Sequence, residues 1–188
     1  MDDLDFGNAG HILNEGAQCA MDFCLERLQQ GISDATAGLT AEMLSRRPLA
    51  DKWSAGEILE HLYLTYTGTM RGMEKCLAAG KPRARKPAWQ DRVRTLYVVG
   101  LGKLPEGRKA PAGATPKGIP PDQLLREIQT KIADMDAVIA QAEEKFGKST
   151  RLLDHPVLGP LSGAQWRKFH LVHGELHIRQ LRRLREAI

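Results

Sequence analysis

Apolar residues recur at spacings of three and four along four long stretches of the chain, the period of a helix with one buried face. The first stretch runs from about His11 to Gln30 and puts Ile12, Gly16, Cys19, Ala20 and Phe23 on one side. In "GISDATAGLTAEMLSRRP", Thr40 has the chemistry of an N-cap for a short helix that stops before Pro48. The second long helix opens in "KWSAGEILEHL". Ser54 is its expected cap and Glu57, three residues on, its capping-box partner. It should reach about Ala79 and end at Gly80, ahead of Pro82.

The third stretch is the most regular. Leu125, Ile128, Ile132, Met135, Ile139, Ala142 and Phe146 form its apolar stripe, with Asp122 expected to cap its start and Gly147 to close it. The fourth opens at Ser162, and its inward positions read Trp166, Phe169/His170, His173, Leu176/His177, Leu181 and Leu184. Strand signals are nearly absent, "TLYVVG" at 95–100 being the one short candidate. Between the second and third helices lies a long connection, 80–121, rich in Pro, Gly, Lys and Arg, with an amphipathic stretch near Trp89–Leu101 that suits a short helix. Four long helices joined by a long crossover predict an all-α four-helix bundle, one domain over residues 1–188.

Composition changes this picture little. The chain is 42% hydrophobic and 27% charged, enough apolar material for a core without disulfides. Three cysteines without CxxC spacing, and a start, "MDDLDFGNAGHIL", lacking signal-peptide character, lead to the expectation of reduced thiols and a cytoplasmic location. No apolar run approaches the roughly 20 residues that cross a bilayer, so no membrane partner is expected. Charge is unevenly spread: residues 81–109 hold nine Lys or Arg against two acids, a local +7 within a net +4. A basic segment can meet anions, but it holds one tryptophan, no aromatic RNA-binding signature and no basic recognition helix, which argues against nucleic acid.

The candidate chemistry is in "FHLVHGELHIRQLRRL". His173 and His177 are four apart, which puts both rings on one helix face at a spacing that suits two ligands of one divalent metal. His170 lies near the same stripe. A third ligand must come from another helix. His61 is the best placed, while His11 and His155 fall near element ends. Any one of these could be a satisfied core histidine. Several buried imidazoles in one seam, each costing a few kcal/mol if unpartnered, call for an explanation. A shared metal supplies one; a solvent-exposed seam without a ligand is the other.

"KWSAGEILEHL" resembles the second-helix motif of the DinB/YfiT-like metalloprotein superfamily, in which a Trp-Ser helix start precedes Glu-His-Leu. "GPLSGAQWRKFHLVHGELHIRQLRRL" resembles its last helix, and "DHPVLGPLSGAQW" the His-Pro…Gly…Leu…Trp lead-in to it. The resemblance implies an up-down-down-up bundle with the long crossover between helices two and three. It also implies a metal site of His61, His173 and His177, with His170 beside it and outside the ligand set. Three imidazoles leave an open metal position, the pattern of catalytic sites. Imidazole suits Zn, Ni, Fe or Cu, so the ligand type does not name the metal; Zn or Ni is the expectation.

Glu60, Glu57, Gln180 and Tyr66 are candidate acceptors for the outer ring nitrogens. The resemblance further implies a metal-dependent thiol transferase or hydrolase acting on a small molecule, with a low-molecular-weight thiol as co-reactant, and a homodimer. The competing reading is a non-catalytic, metal-stabilised interaction module. No catalytic or thiol-binding residue is assigned. Arg71, Arg179 and Arg182, or basic residues of the long connection, could meet the carboxylates of such a thiol, but no arginine is well placed by spacing alone to reach the metal. The Arg-rich end of the last helix is read as dipole compensation, Trp53 and Trp166 as packing at the bundle ends, and Cys19 as a buried small apolar residue.

Overall fold

The computed structural model describes residues 20–105 and 109–186. Helix α1 (Phe23–Thr36) is capped by Asp22, whose carboxylate accepts from Cys24 N at 2.9 Å. Its buried side is Leu25, Leu28, Ile32 and Ala35. Phe23 is 71% exposed, so the expected phase of this helix is wrong by part of a turn. The helix also runs past Gln30. Gly31 continues it because its bare Cα makes room for Ile178; a Cβ there would lie 2.7 Å from Ile178 Cδ1. His11 and Cys19 lie outside the described residues.

After the short α2 (Ala41–Ser45, capped by Thr40) comes α3 (Ala55–Ala79), which has the expected Ser54–Glu57 capping box and a left-handed Gly80 at φ 64°. In the crossover, α4 (Trp89–Thr95) runs on as one wide π-type turn, Leu96–Gly100, closed by Leu101 N donating to Leu96 O at 2.9 Å. The strand candidate at 95–100 is therefore helical. Leu96 and Tyr97 continue the exposed face of Trp89 and Val93 while Val98 is buried, and no strand among the described residues pairs with this turn. Helix α5 (Pro121–Phe146) starts on Pro120 with Pro121 in its first turn. Asp122 does not cap it; it accepts from Arg126 at 2.8 Å instead. A two-stranded hairpin, β1 (Leu153–His155) against β2 (Gly159–Leu161), precedes α6 (Gly163–Glu186).

Side-chain pairs give the helix directions. Tyr63 donates to Glu127 and Lys145 to Leu77 O, so α3 and α5 run parallel. Arg27 meets Glu175 and Arg185 meets Asp34 O, so α1 and α6 run parallel. Gln29 bonds Gln129 O while Asp22 N bonds Asp136, so α1 opposes α5. The result is an up-down-down-up four-helix bundle. Gly174 on α6 closes the α1–α6 contact from the other side, where a Cβ would sit 2.1 Å from Leu28 Cδ1. The core is one cluster that includes Leu59, Leu62, Ile128, Ile132, Met135, Ile139 and Leu181. Between α5 and α6, buried Arg167 donates to Asp136 at 2.5 Å and Glu143 at 2.6 Å. No helix among the described residues is long and apolar enough to cross a membrane.

The crossover is tied down at several points. Buried Glu60 on α3 accepts from Lys117 N at 2.5 Å and Gly118 N at 3.0 Å. Arg85 grips Asp91 with two bonds of 2.7 and 2.8 Å, and Asp91 rests on Gly159 of the hairpin, where a Cβ would come within 2.5 Å of its carboxyl carbon. Arg83 N donates to Leu152 O at 3.0 Å. These bonds hold α4 and the segment 109–118 as a roof over the antiparallel α3–α6 pair.

Candidate metal centre

His61 lies two turns into α3, and His173 and His177 one turn apart on α6; the antiparallel packing of the two helices turns all three rings toward one point. Their ligand atoms lie within 4.8 Å of one another, and all three residues are buried. His173 Nε2 is 3.2 Å from His61 Nε2 and 3.1 Å from His177 Nε2. Tetrahedral nitrogen ligands at zinc-like bond lengths are about 3.3 Å apart. The group could hold a metal ion.

Hydrogen bonding at the outer ring nitrogens sharpens the case. His61 Nδ1 is 2.7 Å from Ala114 O, and a carbonyl only accepts, so the ring proton is on Nδ1 and Nε2 is a bare lone pair. His177 Nδ1 donates to Gln180 Oε1 at 2.8 Å, which leaves its Nε2 bare as well. Two lone pairs thus face the same point as His173 Nε2. One proton on that atom can serve only one of them well, and a cation between them serves all three. The His173 Nδ1 atom is buried with no partner among the described residues.

Burial, the largest cause for each ring, keeps these imidazoles neutral. It lowers His61 against the opposing effect of the Ala114 carbonyl. It lowers His173 far below the ordinary range, helped by His177 and His61. It takes His177 to about 4. A neutral imidazole is the form that ligates.

His170, one turn before His173, is fully buried and stands outside the group of three. Its Nε2 is 3.0 Å from Thr69 Oγ1 and its Nδ1 has no partner among the described residues. His155 also stays outside; its Nδ1 accepts from Val157 N and Leu158 N, both at 3.1 Å, as the organising bond of the hairpin turn.

Of the four acceptors anticipated for the ring nitrogens, Gln180 alone bonds one. Glu57 is committed to the helix cap, Glu60 to the crossover backbone, and the Tyr66 hydroxyl is buried without a partner among the described residues. The Ala114 carbonyl could not be read from the sequence, because a backbone oxygen 34 residues after Gly80 in the long crossover carries no side-chain signal.

The histidines open onto a cavity of about 710 Å³ bounded by α3, α6, the hairpin and the crossover roof. Trp53 and Trp166 both line it, the Trp53 ring 5.2 Å from His61, so they wall the site as well as pack the bundle. Arg94 and Lys109 from the crossover are its lining cations. Arg179 and Arg182 lie along a separate groove between α1 and α6, away from the histidines, as their spacing implied.

A family model described as the DinB superfamily matches residues 25–181. The chain is 29% identical over 157 residues to the uncharacterized protein YuaE of Bacillus subtilis, an alignment covering 80% of this chain and 88% of that protein. No solved structure matches it.

Proposed function

The chain belongs to the DinB superfamily, and from that premise we propose that it is a metal-dependent enzyme of thiol-transferase or hydrolase type acting on a small molecule. His61, His173 and His177 would hold one divalent transition metal, zinc or nickel, through their Nε2 atoms. The observation that carries the reading is the convergence of these three atoms on the wall of a cavity, with two of the rings oriented from behind. A metal held by three neutral imidazoles supplies a Lewis acid with an open position, at which a water or a thiol loses its proton near neutral pH.

The protein's own residues do the rest. Ala114 O and Gln180 fix ring orientation and raise ligand basicity. Trp53, Phe169 and Leu176 narrow the cavity beside the histidines and limit the water that reaches them. Arg94 and Lys109 offer the cations that a carboxylate-bearing thiol needs, a role that spacing along the long helices could not supply.

The test is a screen of the metal-loaded protein with low-molecular-weight thiols and electrophiles, and with ester and amide substrates, beside single alanine variants of the three histidines. The proposal expects turnover in the wild type, lost together with the metal in each variant. Bound metal with no turnover, and a loss of stability on chelation, would favour the interaction-module reading. The homodimer belongs to the same proposal: light scattering at micromolar concentration should give twice the 20.8 kDa chain mass, and a monomer mass removes it.

A further inference from the structure

The cavity above the histidines is far larger than a metal and one small co-reactant need. Its 710 Å³ falls within the range of drug-sized ligand sites. The wall is mostly apolar, with Leu64, Val98, Leu104, Leu153, Leu158 and Phe169 among its residues. Polar groups along the middle of that wall already have protein partners, and the atoms without one among the described residues, His170 Nδ1 and an Asp154 oxygen, are themselves buried out of a ligand's reach. Thr65 donates to Leu62 O at 2.7 Å, Thr69 pairs with His170 at 3.0 Å, and Gln180 is taken by His177 at 2.8 Å. A ligand polar along its middle would lose its water and find nothing in exchange.

The groups free to meet a ligand are the three histidines in the wall and two cations. At the solvent-exposed rim are Arg94, which donates weakly to Val157 O at 3.4 Å, and Lys109. The lining holds one acid, Asp154. One of its oxygens accepts from Arg85 N at 3.3 Å, the other is buried without a partner among the described residues, and its charge faces the Arg85 guanidinium. Along α3 the lining extends from His61 to Thr69, eight residues or about 12 Å. Val93 and Tyr97 line the cavity and are themselves exposed, so an apolar ligand meets a matching surface at the entrance.

We propose that this cavity takes an elongated amphiphile: an apolar body of medium-chain length, an anionic end held by Arg94 and Lys109, and a reactive end at the histidines. This rests on the reading of the site as a metal-dependent enzyme and names its substrate class.

Trp53 and Trp166 in the wall provide the readout. Metal-loaded protein is titrated with decanoate, butyrate, decan-1-ol and decylamine, each below its micelle concentration, and the intrinsic fluorescence followed. Decanoate should bind at least tenfold more tightly than butyrate and than decylamine. In the Arg94→Gln/Lys109→Gln variant, decanoate should fall to the affinity of decan-1-ol, with decan-1-ol unchanged. Gly68 lines the cavity, and a Cβ there meets nothing within 4 Å. Gly68→Leu should therefore fill the cavity without strain and abolish decanoate binding while metal content stays at the wild-type level.

Butyrate or decylamine matching decanoate, or Gly68→Leu binding normally, overturns the proposal. Metal measured on the same samples separates the two claims. Metal present without chain-length dependence removes the amphiphile alone. Decanoate binding in a protein that takes up no metal removes the enzyme reading and leaves the cavity assignment standing.

Discussion

Lowering the pH of the metal-free protein should unfold it, and the size of the effect follows from the buried rings. His170 is fully buried and its pKa is lowered by that burial to about 3; His177 is lowered to about 4. In the unfolded chain each would titrate at about 6.5. Both folded values lie below the unfolded one, so unfolding takes up protons. The stabilisation is complete above about pH 6.5 and is lost as the pH falls toward the folded values.

At about pH 5 the loss is about 1.5 pH units for each ring, or about 2 kcal/mol each and about 4 kcal/mol for the pair. His173, lowered further by its neighbours, acts in the same direction. A chain with a total stability of about 5–15 kcal/mol has little margin after that loss. The assay is urea unfolding of chelator-treated protein at pH 7, 6 and 5. The expected slope corresponds to at least two protons taken up on unfolding. His170→Gln, which still bonds Thr69 but does not titrate in this range, should lower the slope by close to one proton. A slope below one proton in the wild type would refute the idea that these rings are held neutral by burial.

Three further outcomes follow from the geometry. Gln180→Ala removes the acceptor behind His177 and should weaken metal affinity by about 10–100-fold with little change in fold, read by chelator competition. Glu60→Ala frees the backbone of Lys117 and Gly118 from α3; hydrogen exchange at 114–118 should speed up and metal affinity drop, since Ala114 O loses its fixed place behind His61. Gly174→Ala gains about 1 kcal/mol of helix propensity but drives its Cβ into Leu28, an overpacking that costs about 1–3 kcal/mol; the net change should be a lower Tm by calorimetry.

Much of this architecture was legible because helix starts and stops are local. Ser54, Glu57 and Gly80 delimit α3 with chemistry carried by single residues, and the stripe of α5 repeats over seven turns. The histidine pair on α6 is legible for the same reason, since a spacing of four fixes a shared face. The errors arose where the deciding partner lies far along the chain. Gly31 reads as a helix stop until Ile178 fills its place. The helical turn at Leu96–Gly100 has strand composition, but helical residues precede it and no strand among the described residues pairs with it. The hairpin's three-residue strands are too short to show a period, and His155 holds its turn through backbone donors. The acceptor behind His61 is a loop carbonyl, and the cations at the cavity rim come from the crossover, whose path no local pattern specifies.

The central claim is that three imidazoles from α3 and α6 share one metal ion. Its most direct test is metal content by mass spectrometry on untagged protein, beside a His173→Ala/His177→Ala variant whose fold is checked by circular dichroism. The account predicts one equivalent of a transition metal per chain in the wild type and none in the folded variant. A wild type that purifies without metal and takes up neither zinc nor nickel, manganese or iron would contradict it.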